Sequence, residues 1–248
     1  MKINTNQEII IKMESFSQML FKRWFIDFEF PNEEGQPYKS SGGEMVESEL
    51  GMIPLLFEVR KLEDLIKKKN KKINIEELIE PINYIGLEHM PRASIALNDW
   101  ETSEKVKGTK TVFEEGDILF GKLRPYFRKV GVAPISGVCS TDILVLNGKR
   151  ELYYYLLIII CSSKDFIDYA TSGSTGTRMP RADWNHMNQY EVNLPTEALL
   201  MEFNKVLEPI INELAELTLQ NKKLVSLRDI LLPKLLSGEI EVPLAEKV

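Results

Sequence analysis

The sequence predicts an α+β fold in which one mixed, strand-rich domain lies between an N-terminal helix and a long C-terminal helix. Both ends of the chain carry apolar residues three or four positions apart, which is the spacing of an amphipathic helix. Between these ends, short apolar segments alternate with turn-forming residues, which is typical of strands. We expect the two helices to pack antiparallel as a coiled-coil spacer beside the domain.

The N-terminal helix is predicted over residues 6–25, within a first unit of residues 1–30. Its apolar stripe is formed by Ile10, Met13, Phe16, Leu20 and Trp24. Residues 31–52 are polar and contain glycine, proline and a Ser-Ser-Gly-Gly run. This composition favours extended or irregular backbone, so we predict a connector there.

The strand-rich domain is predicted over residues 53–195. Its clearest strands are residues 118–123, 130–134 and 143–146, and its clearest helix is residues 152–170. A loop rich in glycine and threonine, residues 171–178, follows this helix.

The C-terminal helix is predicted over residues 196–236, followed by a tail of residues 237–248. Its apolar stripe has heptad spacing, although a simple core helix would show a similar pattern. At about 1.5 Å per residue this helix is about 20 Å longer than the first one, so part of its stripe stays uncovered. The residues predicted to form the helix and dimer seam are Leu214, Leu217, Asn221, Leu224, Leu227 and Leu231.

The charges are unevenly distributed. The net charge is −6, but residues 105–129 carry seven cations against three acidic residues, whereas residues 27–49 are strongly acidic. A basic surface for DNA is therefore possible on an acidic protein. The longest apolar run is too short to span a membrane, and the N-terminus lacks the pattern of a signal peptide. With only two cysteines and two histidines, the sequence predicts no metal site, and we expect a cytoplasmic protein.

Two segments have the residue types that contact with a nucleic acid requires. The first follows the strand of residues 118–123, where a proline restricts the backbone and charged side chains flank two aromatic rings; a solvated strand is the alternative. The second is the glycine-threonine loop, which lacks the ending of a nucleotide-binding loop and is otherwise a flexible turn. With two nearby lysines, the candidates are Lys107, Lys110, Lys122, Arg124, Tyr126, Arg128, Thr175, Thr177, Arg178 and Arg181.

Other noticeable residues favour ordinary structural roles. Trp184 is expected to be a core anchor, and the lysine run of residues 67–72 is expected to be a solvated face that attracts DNA nonspecifically. His89 and His186 have no partner pattern. The sequence contains no Pro-Pro dipeptide, no Asp/Glu-x-Lys triplet and no Walker A motif, so the usual methyltransferase, nuclease and ATPase signatures are missing. We predict no catalytic residues.

Five strings together resemble the specificity subunits of type I restriction-modification systems. They occur in the order in which that family has them and span nearly the whole chain. They are LFKRWFIDF at 20–28, GGEMVESELGMIP at 42–54, GKLRPY at 121–126, TGTRMPR at 175–181 with Trp184, and LRDILLPKLLSGEI at 227–240.

This resemblance implies a subunit that chooses the DNA site and performs no catalysis. Modification subunits would supply S-adenosylmethionine chemistry, and a restriction subunit would supply ATP- and magnesium-dependent chemistry. The chain departs from the family in lacking a Gly-Trp pair and a Leu-Gly-Asp after Pro54, and in carrying one recognition domain where typical members carry two. We therefore expect a homodimer that reads an interrupted palindrome in double-stranded DNA. The alternative is a coiled-coil interaction module that binds no DNA.

Overall fold

The computed structural model describes residues 2–176 and 178–240, and within them the predicted α+β arrangement is confirmed. Thr177 and the last eight residues of the predicted tail lie outside the described residues. The α-helices are α1 (Lys2–Phe21), α2 (Leu62–Leu65), α3 (Tyr154–Ser162), α4 (Lys164–Ser172), α5 (Trp184–Met187) and α6 (Glu197–Leu236). Short 3-10 turns lie at Ile75–Glu77, Leu87–His89, Ser103–Lys105, Pro125–Phe127 and Glu151–Tyr153.

The strands form two small pairs and two larger sheets. The first pair is β1 (Met45–Ser48) with β2 (Gly51–Pro54), and the second is β3 (Phe57–Lys61) with β13 (Glu191–Pro195). The four-stranded sheet has the order β10 (Val130–Val132), β9 (Ile118–Gly121), β12 (Ile143–Gly148), β4 (Ile66–Lys69). The five-stranded sheet has the order β5 (Lys72–Asn74), β8 (Thr109–Phe113), β11 (Gly137–Cys139), β6 (Asn83–Ile85), β7 (Glu101–Thr102).

The two long helices pack antiparallel. Asn6, near the start of α1, contacts Asn221 in the second half of α6, whereas Trp24 contacts Phe203 near the start of α6. Asn6 and Trp24 are separated by the same number of residues as Phe203 and Asn221. The two helices therefore keep one register between these contacts. This antiparallel packing was predicted from the two apolar stripes.

The predicted apolar stripe of α1 was wrong at one residue, Phe16. Phe16 is 44% exposed, whereas Ser17 is completely buried and donates its hydroxyl to the Met13 carbonyl. The buried positions are Asn6, Ile10 and Ser17, which lie four and then seven residues apart and so fit a heptad. Apolar character misled the prediction because a small polar residue satisfies its hydroxyl within its own helix.

The predicted end of the first helix is also different, because a π-helical turn, Lys22–Ile26, continues α1. This turn buries Trp24 and Phe25 together. The Phe25 ring lies 4.7 Å from Phe203 of α6 and 6.1 Å from Phe57 of β3, measured between ring centroids. The aromatic cluster therefore joins α1, α6 and the first strand of the domain.

The predicted connector is more ordered than its composition suggested. Phe30 stacks on Tyr38 at 4.6 Å and is buried, and a bridge between Pro31 and Pro37 closes the turn between these rings. The hairpin of β1 and β2 then leads into the domain. The backbone between residues 32 and 44 consists mostly of turns and bends, as the composition predicted, but the aromatic contacts fix it in place.

Strand β9 is buried on both faces because it lies between two cores. Ile118 and Phe120 face the core shared with α3, whereas Leu119 faces the core between the two larger sheets. Successive side chains of a strand point to opposite faces, so a strand covered on both sides is apolar throughout. All three strands that the sequence singled out are present, with somewhat different ends.

The predicted single helix of residues 152–170 is two helices, which was an error of the prediction. The chain breaks at Ser163, which adopts an extended conformation and accepts a hydrogen bond from Phe166 N as the N-cap of α4. Serine favours this position because its side chain satisfies a free N–H group at the helix start. Before the break, α3 is buried on nearly all sides. No helix in the described part of the chain combines the length and the apolar character that a membrane crossing requires.

The predicted extent of the last helix is confirmed, since α6 spans Glu197–Leu236 and continues through Pro209 and Pro233. Leu214, Leu217 and Asn221 are buried, and Asn221 contacts Asn6 of α1. Beyond Asn221 the cover ends: Leu224 is half-buried, and the exposed apolar residues are Leu227, Ile230, Leu231, Leu232, Leu235 and Leu236.

The carboxylate of Glu14 helps to attach α1 to the domain. Glu14 Oε1 accepts hydrogen bonds from the Ser94 hydroxyl at 2.7 Å, from Ile95 N at 2.7 Å and from Ala96 N at 3.2 Å. Burial raises the pKa of Glu14, although the three hydrogen bonds oppose this shift. The loop that precedes Ile95 is therefore held against α1.

We predict that the Asn6–Asn221 contact costs stability and sets the helix register. Asn6 Nδ2 donates to Asn221 Oδ1 at 2.9 Å, and Asn221 Nδ2 is buried with no partner among residues 2–176 and 178–240. Asn221→Ala should lower the free energy of unfolding by about 1–3 kcal/mol, because the Asn6 amide loses one of its two acceptors and keeps only Gln220 Oε1. Replacing both asparagines by leucine should raise it above that of the natural protein.

Urea unfolding measures both changes. Ser226→Ala, at an exposed position of the same helix, is the matched control and should change the free energy of unfolding by less than about 0.5 kcal/mol. An Asn221→Ala variant as stable as this control would contradict the prediction.

We predict that Glu14→Gln is tolerated and that Glu14→Ala is destabilising. Glutamine keeps an oxygen that can accept the three hydrogen bonds, whereas alanine removes the acceptor of all three and should cost about 2–4 kcal/mol. The pKa of Glu14 is higher in the folded protein than in the unfolded chain. The free energy of unfolding of the wild type therefore falls as the pH rises from the unfolded pKa to the folded pKa. The free energy of unfolding of Glu14→Gln relative to wild type should therefore increase from pH 4 to pH 7.

Denaturant unfolding at a series of pH values provides this measurement. The exposed Glu8→Gln on the same helix is the control for the loss of one negative charge. If the free energies of unfolding of Glu14→Gln and Glu8→Gln depend on pH in the same way, the pKa of Glu14 is not raised by folding.

Candidate nucleic-acid interface

Two loops that the sequence predicted separately lie side by side at one end of the domain. Leu123, just after β9, forms a bridge with Arg181, and Arg181 forms a second bridge with Thr175. In addition, Ala182 N donates to Lys122 O at 2.9 Å. The segment after β9 and the loop after α4 therefore form one surface.

The segment after β9 is a turn, which corrects the predicted extension of the strand. Pro125, Tyr126 and Phe127 form a single 3-10 turn, and Arg124 and Arg128 on either side have left-handed backbones with φ of 51° and 54°. Proline suits the first position of such a turn because its φ is already restricted and its missing N–H is not needed there. A left-handed backbone is uncommon for arginine, and such strain often accompanies functional sites.

The two arginines that flank the turn are partly buried. Arg128 Nη2 donates to the Ser162 carbonyl at 3.3 Å, at the C-terminal end of α3, where a positive charge is favourable. The Nε atoms of Arg124 and Arg128 are buried and have no partner among the described residues. Arg128 thus fastens the turn to α3, while the guanidinium carbon of Arg124 lies 5.9 Å from the centroid of the Phe127 ring.

The remaining candidates of the second loop are more exposed. Thr175 and Arg178 are exposed, and Gly176 between them has a φ of 93°, which favours glycine at this position. Arg181 Nε forms an ion pair with Asp142 Oδ1 at 3.1 Å, with about half of the Arg181 side chain exposed. Thr177 was predicted to contact DNA but lies outside the described residues.

Strand pairing brings Lys107 and Lys110 next to the lysine run. Lys110 lies opposite Ile73 in the ladder of β5 and β8, and Lys72 lies opposite Thr111. The Lys110 ammonium donates to the carbonyl of Lys107. Two basic segments that are distant in the sequence therefore form one group.

This group lies at the same end of the domain as the two loops. Thr111 of β8 pairs with Cys139, the last residue of β11, and the chain then enters β12 at Ile143, which pairs with Gly121 at the end of β9. The short connection between β11 and β12 also supplies the Asp142 carbonyl, which accepts a hydrogen bond from the Lys122 backbone. The start of β8 and the end of β9 therefore share one edge.

The lysine run has a mixed role. Lys69 donates to Glu114 at 2.6 Å and to the fully buried Asp117 at 3.0 Å, so it is part of the domain's internal structure. The hydrogen bond from Lys69, together with the charges of Lys69, Lys71 and Lys67, lowers the pKa of Glu114. Lys67 and Lys71 are exposed, as expected for a solvated face.

Arg92 also lies at this surface, although no sequence pattern pointed to it. Its guanidinium carbon is 4.0 Å from the centroid of the Phe127 ring. The next residue, Ala93, has a φ of 54° and donates its N–H to the Arg128 carbonyl at 3.0 Å. Burial, followed by the charge of Arg92, lowers the pKa of the nearby Lys129. An isolated arginine in a loop gives no sequence signal, because its position depends on this tertiary contact.

We call this end of the domain the basic edge. It combines the two neighbouring loops, the start of β8 and the loop of residues 91–94. Its described members are Arg92, Lys107, Lys110, Lys122, Arg124, Tyr126, Arg128, Thr175, Arg178 and Arg181.

Trp184 and the two histidines have structural contacts. Trp184 is half-buried and packs against the main core, with the Lys68 ammonium 5.5 Å from its ring. The His186 ring stacks on Tyr169 at 4.2 Å. A core position was expected for Trp184.

One group of residues has the composition of a metal site. The potential ligand atoms of Glu88, His89 and Glu101 lie within 4.8 Å of one another. However, His89 Nδ1 accepts a hydrogen bond from Gly86 N at 2.9 Å, so the neutral ring carries its proton on Nε2. Neither ring nitrogen then offers a free lone pair, and two exposed carboxylates alone make a poor site.

Comparison with known proteins identifies the family. The model of the type I restriction modification DNA specificity domain matches residues 54–224, which is more than half of the chain. The specificity subunit of the type I restriction enzyme MjaIX of Methanocaldococcus jannaschii is 25% identical over 244 residues. This match covers 93% of the chain and 53% of that subunit.

Solved structures share the fold. The HsdS subunit from Thermoanaerobacter tengcongensis superimposes with a TM-score of 0.51 and 17% identity, covering 82% of this chain and 54% of that subunit. A chain from a study of complex assembly and conformational transition of the type I R-M system gives a TM-score of 0.53 and 17% identity. That match covers 79% of this chain and 52% of the other.

The chain spans about half the length of the proteins that it matches. It has one strand-rich domain between two long helices, and the family match includes that domain and most of α6. The chain therefore belongs to the family of type I restriction-modification DNA specificity domains.

Proposed function

We propose that this chain selects the DNA sequence at which a type I restriction-modification complex acts, and that the basic edge contacts the DNA. The bridges of Arg181 with Leu123 and Thr175 are the main support for this proposal. They bring two loops that are distant in the sequence, both with hydrogen-bond donors, onto one surface. We assign DNA reading to residues 53–195. The helical units, residues 1–30 and 196–236, then act as a spacer.

The side chains of the basic edge suit different parts of DNA. Lys107, Lys110 and Lys122 are compact charges and suit phosphates, which position the protein. Arg124, Arg178 and Arg181 offer planar guanidinium groups that can read base edges. Arg128 holds the turn in place through Ser162, and the exposed ring and hydroxyl of Tyr126 extend the surface. Thr175 and Thr177 add hydroxyl groups.

Catalysis would come from other chains. Methylation would require modification subunits with S-adenosylmethionine, and cleavage would require a restriction subunit with ATP and magnesium. The assignment of catalysis to other subunits rests on the family and on the lack of the usual catalytic signatures in the sequence. The chain would act in the cytoplasm, where the DNA is.

We further propose that the chain pairs with a second copy through the end of α6. The cover by α1 ends near Asn221, and the following apolar residues, among them Leu227 and Leu231, are exposed. A symmetric dimer would bury the same surface on both copies and would place two identical basic edges on the DNA. The target would then be an interrupted palindrome.

We predict DNA binding that weakens steeply with salt. The logarithm of the binding constant should fall by about 0.9 per logarithmic unit of salt for each phosphate contacted. Lys110→Ala and Lys122→Ala should each weaken binding to all duplexes and reduce this slope by about one contact, whereas Arg178→Ala should change the sequence preference. Fluorescence anisotropy at several salt concentrations gives the slopes.

The control is Lys205→Ala, an exposed lysine on α6 that pairs with Glu202 and lies outside the basic edge. It should bind as the natural protein does. A chain whose binding is absent or independent of salt would instead support the alternative, an interaction module that binds no DNA.

We predict a dimer that depends on the end of α6. Light scattering over a concentration series should give twice the 28.5 kDa mass of the chain. Leu227→Asp combined with Leu231→Asp should yield monomers, because two charges would be buried at the interface. Met201→Asp, at an exposed apolar position near the start of the same helix, is the control and should remain dimeric. A strictly monomeric natural chain would refute the symmetric pairing and, with it, the palindromic target.

A further inference from the structure

We propose that Arg92 reads a base edge, with guanine preferred, and that Phe127 is the platform that holds its guanidinium group in place. This inference rests on the proposed DNA-reading function of the basic edge. It adds a residue that the two candidate loops do not contain.

The contact between Arg92 and Phe127 orders the arginine before DNA is bound. At 4.0 Å from the ring centroid, the guanidinium lies in van der Waals and cation–π contact with the ring. Arg124 approaches the same ring at 5.9 Å, so one aromatic side chain supports two guanidinium groups. An arginine that is already ordered loses less side-chain entropy on binding.

The backbone around Arg92 is fixed on both sides. Ala93, in the left-handed region, is bonded to the Arg128 carbonyl on the turn of the basic edge. Directly after it, the Ser94 hydroxyl is bonded to Glu14 of α1. The loop therefore presents Arg92 from a rigid support, although the residue itself is exposed.

The nitrogens of Arg92 are available to a ligand. Among residues 2–176 and 178–240, no carboxylate forms an ion pair with it, whereas Arg181 is paired with Asp142 and Arg128 is bonded to Ser162. Its N–H groups have no hydrogen-bond partner in the described part of the chain, so they can bind a ligand while the guanidinium carbon rests against the Phe127 ring. Two parallel N–H donors match the O6 and N7 acceptors of guanine in the major groove.

Selection from a randomised duplex library tests this inference. The full-length natural chain, Arg92→Lys and Arg92→Ala would each be incubated with the library, and the bound duplexes would be sequenced. We expect the natural chain to enrich guanine at one position of each half-site. Both variants should lose this preference by about 5- to 150-fold and keep the preferences at other positions, because lysine retains the charge but not the paired donors.

Phe127→Leu tests the platform separately. Leucine keeps apolar volume but removes the flat ring, so discrimination at the same position should weaken while the other positions are unchanged. Lys205→Ala is the control and should select the same sequences as the natural chain. Circular dichroism melting shows whether each variant is folded. If Arg92→Ala does not fold, Arg92→Lys still provides the test.

The outcomes separate the two proposals. Uniform weakening in Arg92→Ala with restoration in Arg92→Lys would indicate a phosphate contact and overturn the base-reading role. Selection by the variants that matches the natural chain would also overturn it, while leaving the DNA-reading function intact. A natural chain that enriches no sequence would reject both the proposed function and the role of Arg92.

Discussion

The packing of Phe25 against Phe203 is the contact on which the rest of the structure depends. It joins residues from opposite ends of the chain, at 4.7 Å between ring centroids, and Phe57 at the first strand of the domain closes the cluster. Immediately beside it, β3 pairs with β13, with Phe57 opposite Pro195. The points where the chain enters and leaves the domain are thereby held together, so the domain is fixed on the helices despite lying within the sequence between them.

This constraint explains how a set of loops can form a defined surface. Loops have few internal contacts, and their geometry comes from what they are fastened to. Here Glu14 of α1 holds the loop at Ser94, and the end of α3 holds Arg128 through the Ser162 carbonyl. Two of the left-handed residues, Ala93 and Arg128, lie at these attachments. Strained backbone persists only where surrounding structure determines it, and these attachments supply that structure.

The sequence predicted those features that depend on local pattern. The extent of α6, the buried Asn221 in its seam, the exposure after it and the strand β9 all follow from periodicity over a few turns or residues. The errors arose where a polar side chain found a local partner, as Ser17 did within its own helix and Ser163 did at the start of α4. Arg92 could not be predicted at all, since its role depends on Phe127, which is distant in the sequence.

The net negative charge of the chain is compatible with DNA binding because the acidic residues of the connector lie away from the loops of the basic edge. The acidic residues of the connector and hairpin, such as Glu33, Glu44 and Glu47, lie on segments that pack beside the aromatic cluster and β3, not on the loops of the basic edge. Phosphates would be attracted to one end of the domain and repelled from the connector. On the proposed function, this asymmetry orients the protein on DNA before any base is read, so that the arginines of the basic edge reach the groove in a single orientation.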